Sequence, residues 1–361
     1  MERSDIEAEV RRLSPWYYRF DLGGVRTDIT PPCDHHGHRE VALPPGAELY
    51  LDGKTVLDMG CNEGGYAFSA LERGARHVDA VDCRPVNVEK GRFVAKLRSA
   101  SGVSFDVADV DSWLAAHPGA KYDYVFLFGL LYHLPEPWRT IQSFCEVARE
   151  GVLLTCVLAG GDDGYTVFHE QECIGASFRA QTAMMPNTTR TLVHEFARHG
   201  FYPAFLGENR TSDFWGGCSL LAVNCRAGSP LGTSLTQRCT AGDVSAFLVP
   251  DRRRGQQWSV VAYNWSARAL DVTATLRLSD GSGVVLDEKG PHDFTLPPRV
   301  HSADGTASCS VSLPLPLVPA PGSSARLELC ERGSGHELVA TEVAFAGCPA
   351  GTTRTAEIRL R

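Results

Sequence analysis

The sequence predicts two folds in tandem, an α/β domain with a parallel sheet and then an all-β domain. Two observations carry this. Before residue 226, short apolar β-prone runs alternate with helical stretches, the pattern of a parallel sheet covered by helices. After it the helical period disappears, and short alternating segments are joined by Gly-rich turns. A chain of 361 residues is long enough for two domains, each with its own core.

Thr55–Met59, Val78–Asp82, Tyr124–Phe128 and Val152–Val157 are near-continuous apolar runs, as expected of strands buried on both faces. Helices are predicted between and after them at Gly65–Arg73, Val86–Arg98, Pro137–Arg149 and Thr191–His199. At the start, Ser4 and Glu7 have capping-box spacing and open a helix through Leu13. The stretch 226–243, containing Gly, Ser, Thr and Pro, is predicted to be a linker. Beyond it, Trp258–Asn264, Leu270–Leu278, Val284–Leu286, Ala325–Leu329 and Glu337–Ala344 are predicted strands. Asp280-Gly281-Ser282-Gly283 and Arg332-Gly333-Ser334-Gly335 make hairpin joints between them, and the spacing suggests a β-sandwich over 244–361. The two parts do not repeat one another.

Lys plus Arg number 35 against 43 Asp plus Glu, a formal net charge of -8. That balance argues against a general polyanion binder, because phosphate contacts need a surplus of cations. No apolar run approaches the roughly 18 residues of a membrane-spanning helix. The first twelve residues are charged and lack the apolar centre of a secretory signal, so a cytoplasmic protein is expected. The twelve cysteines form no C-x-x-C pair, which favours reduced thiols over a zinc cluster.

The most informative stretch is Thr55-Val56-Leu57-Asp58-Met59-Gly60-Cys61-Asn62-Glu63-Gly64-Gly65-Tyr66. A strand enters a Gly-rich turn and a helix follows; Gly60 and Gly64 let the backbone turn sharply and approach a ligand. Asp58 at the strand end can bind an amine or hydroxyl. Asp82, at the end of the next strand, can accept from both hydroxyls of a ribose. A nicotinamide dinucleotide site wants G-x-G-x-x-G with a pyrophosphate at the helix N-terminus. Here Asn62 takes the second glycine position, and Glu63 is expected to put a negative charge where that pyrophosphate would sit. A cofactor without phosphate, with a ribose, an adenine and a cationic amino-acid part, fits better.

The stretch resembles motif I of the class I S-adenosylmethionine-dependent methyltransferases. The resemblance implies a Rossmann-like seven-stranded sheet in residues 1–225, with 1–50 as a lid segment and S-adenosylmethionine as cofactor. It implies cofactor contacts from Asp58, Gly60, Cys61, Asn62, Gly64, Asp82, Cys83 and Phe128. Asp109, after the third strand, would meet the adenine amino group, with Val110 beside the ring. Four segments narrow the likeness to the tRNA wobble-uridine 5-oxyacetate-forming methyltransferases and their relatives. They are Trp16 with Phe20–Gly24 and Thr27; Gly53–Asp58; Leu127–Leu134 with Pro137; and Met185-Pro186-Asn187 before a helix ending at Gly200-Phe201. Those tRNA enzymes use a carboxylated cofactor held by basic residues. No matching Lys and Arg set is evident here, which favours ordinary S-adenosylmethionine.

Methyl transfer requires alignment, exclusion of water and removal of the acceptor's proton. Tyr132 and His133 follow the fourth strand and are the catalytic candidates, because an imidazole exchanges protons near neutral pH; the alternative is that His133 only packs. Cys33-Asp34-His35-His36-Gly37-His38 packs three histidines into four positions. The spacing is a poor zinc pattern, so His35 and His36 are instead expected in a lid over the substrate, or in a solvated loop. His169-Glu170-Gln171-Glu172 offers carboxylates to a substrate amine, Glu170 foremost. Asn187 points an amide into the cleft or caps the next helix. Protein-arginine methyltransferases also join such a domain to a β-domain, but their paired glutamates follow the fourth strand, where this chain has Gly129–His133. Arg252-Arg253-Arg254 is expected to be a solvated turn. Trp258, Tyr263 and Trp265 are expected to pack.

The sequence therefore favours methylation of O or N on a small molecule, in secondary metabolism. A tRNA-modifying enzyme and a non-catalytic cofactor-binding protein are the competing readings. The β-domain is expected to dimerise, cover the site or bind a second ligand.

Overall fold

The structure is a computed structural model. It describes residues 1–30, 39–41, 43, 51–170, 181–210, 216–224, 234–239, 244–251, 257–264, 268–280, 282–296, 308–313, 324–335 and 337–346. The chain divides into two compact units near Asn224 and Cys225.

The first unit opens with α1 (Arg3–Arg12). Then β1 (Thr55–Met59), α2 (Gly65–Glu72), β2 (His77–Asp82), α3 (Pro85–Arg98), β3 (Val103–Val107), α4 (Val110–Ala116), β4 (Tyr122–Phe128), α5 (Pro137–Val147) and β5 (Ala148–Leu158) alternate strand and helix. After β6 (Tyr165–Glu170), β7 (Gln181–Pro186) and α6 (Thr189–Arg198), the strands β8 (Phe201–Arg210) and β9 (Gly216–Asn224) complete a seven-stranded sheet of order β3-β2-β1-β4-β5-β9-β8. The first five strands run parallel, and β9 is antiparallel to both neighbours. Val56, Leu57, Val125, Phe126, Leu127, Leu153 and Leu154 are fully buried, which explains why these strands are apolar rather than alternating. The parallel order brings the ends of β1, β2 and β4 to one edge, where open α/β sheets bind ligands.

Several boundaries differ from the sequence reading. Helix α1 begins at Arg3 behind Glu2, with no side-chain cap, so the Ser4–Glu7 box does not form; Glu7 accepts a hydrogen bond from Arg3 instead, at 3.1 Å. Helix α5 stops at Val147, because the extended chain from Ala148 pairs with β4. Helix α4 and the two-stranded β6–β7 sheet had no sequence signal.

The second unit contains two antiparallel sheets. One has the order β10 (Ser234–Cys239), β17 (Glu337–Ala346), β16 (Ser324–Glu331), β13 (Leu270–Ser279) and β14 (Val285–Leu296). The other has the order β11 (Val244–Asp251), β12 (Gln257–Asn264) and β15 (Ser308–Leu313). Both Gly-rich joints connect antiparallel neighbours, β13 to β14 and β16 to β17. Strand β10 lies inside the stretch predicted as linker and pairs with β17 along its whole length. Its polar composition hid it, since an edge strand need bury little.

In its described part the N-terminal segment packs into the first unit. Trp16, Tyr18, Phe20 and Leu22 are buried. Glu63, in the middle of the glycine turn, is buried and faces this segment. Its two carboxylate oxygens accept the amides of Tyr17 at 2.8 Å and Tyr18 at 2.9 Å. Lys90 of α3, also buried, donates to Glu63 at 2.8 Å and to the Pro15 carbonyl, and lies 5.4 Å from the Trp16 ring centre. The expectation that Glu63 charges the ligand side of the turn is therefore corrected, because Lys90 and two backbone amides hold its carboxylate inside the protein.

Breaking one member of such a buried pair strands the other charge, at a cost of about 3–5 kcal/mol. Lys90→Met is therefore expected to lower urea-unfolding stability by about that amount. The double variant Glu63→Gln with Lys90→Met is expected to lose less than Lys90→Met alone.

Candidate active site

The glycine turn is held open by backbone geometry. Gly60 has φ +75°, and its amide and that of Cys61 both donate to the Val81 carbonyl, at 2.8 and 2.9 Å. This hooks the end of β1 onto β2. Asn62, at φ +52°, adopts the left-handed conformation and points its amide at Asp82 Oδ2, 2.9 Å away. Gly64, at φ +82°, caps α2, and a Cβ there would lie 2.6 Å from the Phe105 ring. Both the conformation and the space demand glycine. The Cys61 thiol is buried, and burial with the nearby Asp82 and Asp58 charges pushes its pKa well up.

Two buried acids flank the turn. Asp58 is 1% exposed, and its Oδ2 has no hydrogen-bond partner. Burial, and then the charge of Asp82, push its pKa from 3.8 to about 7, against a lowering by the Ala67 amide. Asp82 is better served: Oδ1 accepts from the Arg84 amide at 2.9 Å and from Arg84 Nε at 3.1 Å, while Oδ2 takes the Asn62 amide. Arg84 Nη2 also reaches Oδ2, at 3.4 Å, so Arg84 grips both oxygens of the carboxylate. Sequence reasoning missed Arg84; its position two residues after the acid was the available signal.

A cavity of about 460 Å³ opens beside these groups. Met59, Gly60 and Leu130 line one part of it, Cys83, Asp109, Val110 and Leu114 another, and His133 to Glu136 with Arg139 a third. Asp109 also caps α4, accepting from the Ser112 amide at 2.9 Å and the Ser112 hydroxyl at 3.0 Å. His133 closes a short 3-10 turn, Leu131–His133, and the Tyr132 ring packs on it at 4.3 Å. The Tyr132 hydroxyl would lie 3.3 Å from a Cβ on Gly129. Phe128 ends β4 and stacks on Tyr66, ring centres 4.0 Å apart. Tyr66, directly after the glycine turn, was not singled out from sequence.

The remaining candidates are dispersed. Asn187 does not cap α6; Thr188 does, accepting from the Thr191 amide at 3.1 Å. Asn187 instead donates to the Asp162 carbonyl at 2.9 Å and accepts from the Thr166 hydroxyl at 2.7 Å, fastening the loop after β5. One N–H and the oxygen of its amide are engaged in this local bridge. Glu170 ends β6 opposite Gln181. His35, His36 and the rest of the histidine cluster lie outside the described residues, as do Arg252–Arg254 and Trp265. Among the described residues no group of three or more His, Cys, Asp or Glu is arranged to hold a metal.

A sheet of this order, parallel through its first five strands, with a glycine turn between two strand-end carboxylates, resembles the class I S-adenosylmethionine-dependent methyltransferases. Residues 51–197 match the family described as methyltransferase domain. The chain is similar to a tRNA U34 carboxymethyltransferase of Chromohalobacter salexigens, 28% identical over 59% of this chain and 65% of the relative. It is also similar to a ubiquinone biosynthesis O-methyltransferase of Paraburkholderia phytofirmans, 36% identical over 29% of this chain and 44% of the relative. The chain thus spans less than two thirds of either relative's length. Among solved structures, the N-terminal domain of EvdMO1 aligns with 62% of this chain and 97% of that chain, at 21% identity and a TM-score of 0.49.

The buried Asp58 gives a signed pH dependence. The folded state keeps its proton to about pH 7, whereas the unfolded state releases it near 3.8. The folded state therefore binds more protons in that window, and stability falls as pH rises through it. Asp58→Asn is expected to be more stable than the parent above about pH 8, by about 4 kcal/mol, with the gain vanishing below about pH 4. Urea melts across pH check this.

Proposed function

We propose that the protein is an S-adenosylmethionine-dependent methyltransferase acting on O or N of a small molecule, in secondary metabolism in the cytoplasm. The observation that carries the cofactor assignment is the pair of buried acids flanking the glycine turn, one with an unpaired oxygen. When bound, S-adenosylmethionine supplies a methyl group on a positively charged sulfur. Asp58 receives the ammonium of its amino-acid part, and Asp82 the ribose hydroxyls. Asp109 and Val110 receive the adenine, with Cys83 at the wall. Gly60, Cys61, Asn62 and Gly64 shape the floor. Phe128 to His133 line the acceptor side. There a ring nitrogen of His133 takes the acceptor's proton as its oxygen or nitrogen becomes nucleophilic, and Tyr132 orients that imidazole.

Residues 1–225 form the cofactor domain in this reading. The two antiparallel sheets form a β-sandwich that supports a homodimer. The O-methyltransferase named among the relatives supports an oxygen acceptor. The tRNA U34 carboxymethyltransferase among them supports a second reading, an RNA acceptor. Against it stand the net charge of -8 and a cavity whose rim carries Asp109, Asp111 and Glu136 against the single guanidinium of Arg139.

Titration calorimetry is expected to show binding of S-adenosylhomocysteine, weakened about tenfold or more by Asp82→Asn, a loss of about 1.4 kcal/mol. Absence of binding by the parent protein would remove the cofactor assignment. Once an acceptor is in hand, His133→Ala and His133→Gln are both expected to lower kcat by about 100-fold or more while leaving acceptor affinity intact. Near-parental turnover in both would end the base role. Binding of bulk tRNA that falls steeply with salt would instead support the RNA reading.

A further inference from the structure

Strand β5 carries a cysteine that the fold sets against another. Cys156 of β5 faces Cys218 of β9 directly in their antiparallel ladder. Among the described strand pairs this is the one place where cysteine opposes cysteine. Both are thiols, and both are buried. Residues directly opposite one another share a face of the sheet. Burial, and then the neighbouring Cys218, push the Cys156 thiol well up.

The ladder fixes their spacing. The Thr155 carbonyl is turned to β4, where it accepts the Gly129 amide at 3.0 Å. The amide and carbonyl of Cys156, one residue on, are therefore turned to β9, and Cys156 with Cys218 is a hydrogen-bonded pair. Such a pair has its Cα atoms about 5.5 Å apart, within the span of roughly 4.4–6.8 Å that a disulfide bridges. Its Cβ atoms are also about 5.5 Å apart, wider than the roughly 3.5–4.5 Å a disulfide prefers, so a bond here is readily reduced. Access comes from the end of the ladder. Two described pairs lie beyond Cys156: Val157 with Gly217 and Leu158 with Gly216. The glycines give the ladder no side chain to pack, so this end opens at the least cost.

We propose that Cys156 and Cys218 are a reversible thiol-oxidation site, joined to each other by reaction with a low-molecular-weight disulfide such as glutathione disulfide. One of the two thiols, as its thiolate, attacks a sulfur of glutathione disulfide and expels one glutathione, leaving a mixed disulfide. The other, as its thiolate, attacks the protein sulfur of that mixed disulfide and expels the second glutathione. Two electrons pass from the cysteine pair to glutathione, and the two thiol protons leave with the two glutathione thiols released. Thr155, next to Cys156, holds the amide of Gly129, from which the chain runs on to His133. The bond thus fastens the strand end on which that turn hangs.

The full chain, fully reduced, is incubated with glutathione disulfide at mildly alkaline pH without denaturant, then digested without reductant. Mass spectrometry is expected to find a peptide pair joined through Cys156 and Cys218, two hydrogens lighter than its reduced parts. A tenfold excess of reduced glutathione is expected to remove it. Far-UV circular dichroism is expected to be the same for both forms, since the bond forms within the fold. Cys156→Ala is expected to lose the joined pair. Cys156 and Cys218 remaining as thiols, linkage of either to a third cysteine, linkage only once urea is added, or a link that survives reduced glutathione would each overturn the assignment.

Discussion

The Glu63–Lys90 pair is the constraint on which the first unit depends. A carboxylate in the glycine turn has no water to turn to, being buried, and finds three donors instead: Lys90 and the amides of Tyr17 and Tyr18. Lys90 is equally committed, to Glu63, to the Pro15 carbonyl and to the face of Trp16. Four segments distant in sequence are thereby fixed at one point: the N-terminal segment, the turn, α3 and, through Trp16, the end of α1 at Val10. A well-packed apolar substitute would stabilise as much or more. What the ion pair adds is register, because the two carboxylate oxygens accept two successive amides and accommodate only one alignment of the segment. Tyr17 and Tyr18 are therefore held in fixed positions beside the turn.

The charges on the other side of the turn are left in the opposite condition. Asp58 and Asp82 are both buried and close enough for one to raise the other, yet only Asp82 has a cation, Arg84. The arrangement is an unfavourable one that a positively charged ligand would relieve. An ammonium beside Asp58 would return its pKa toward the ordinary carboxylate range, so binding near neutral pH would release a proton. The turn thus separates a satisfied acid from one with an unpartnered oxygen, and the difference between Glu63 and Asp58 is the number of donors each is given.

The strands were legible because burial on both faces leaves a continuous apolar run, and β1 was read with its observed limits at Thr55 and Met59. The glycine turn was legible for a related reason: positive φ at Gly60 and Gly64, and the Phe105 ring against Gly64, leave little chemical choice. Glu63 was misjudged because its partners are remote in sequence, Tyr17 before it and Lys90 after it, and no local pattern announces them. The same holds for Asn187, which the sequence offers either to the cleft or to a helix, and which the fold spends on Asp162 and Thr166. Strand β10 went unseen because an edge position asks for little apolar surface.

Acidic composition alone is a weak guide to a partner, since a basic groove can sit on an acidic protein. Its local distribution is a stronger one. At the cavity, Asp109 is occupied in capping α4, and Arg139 is neutralised by Glu136 at 3.2 Å. A phosphate backbone approaching this rim would meet Asp111 and Asp109 before any uncompensated cation of the cavity wall, and would have to displace an existing ion pair to reach one. A neutral small molecule entering the cavity incurs no such penalty.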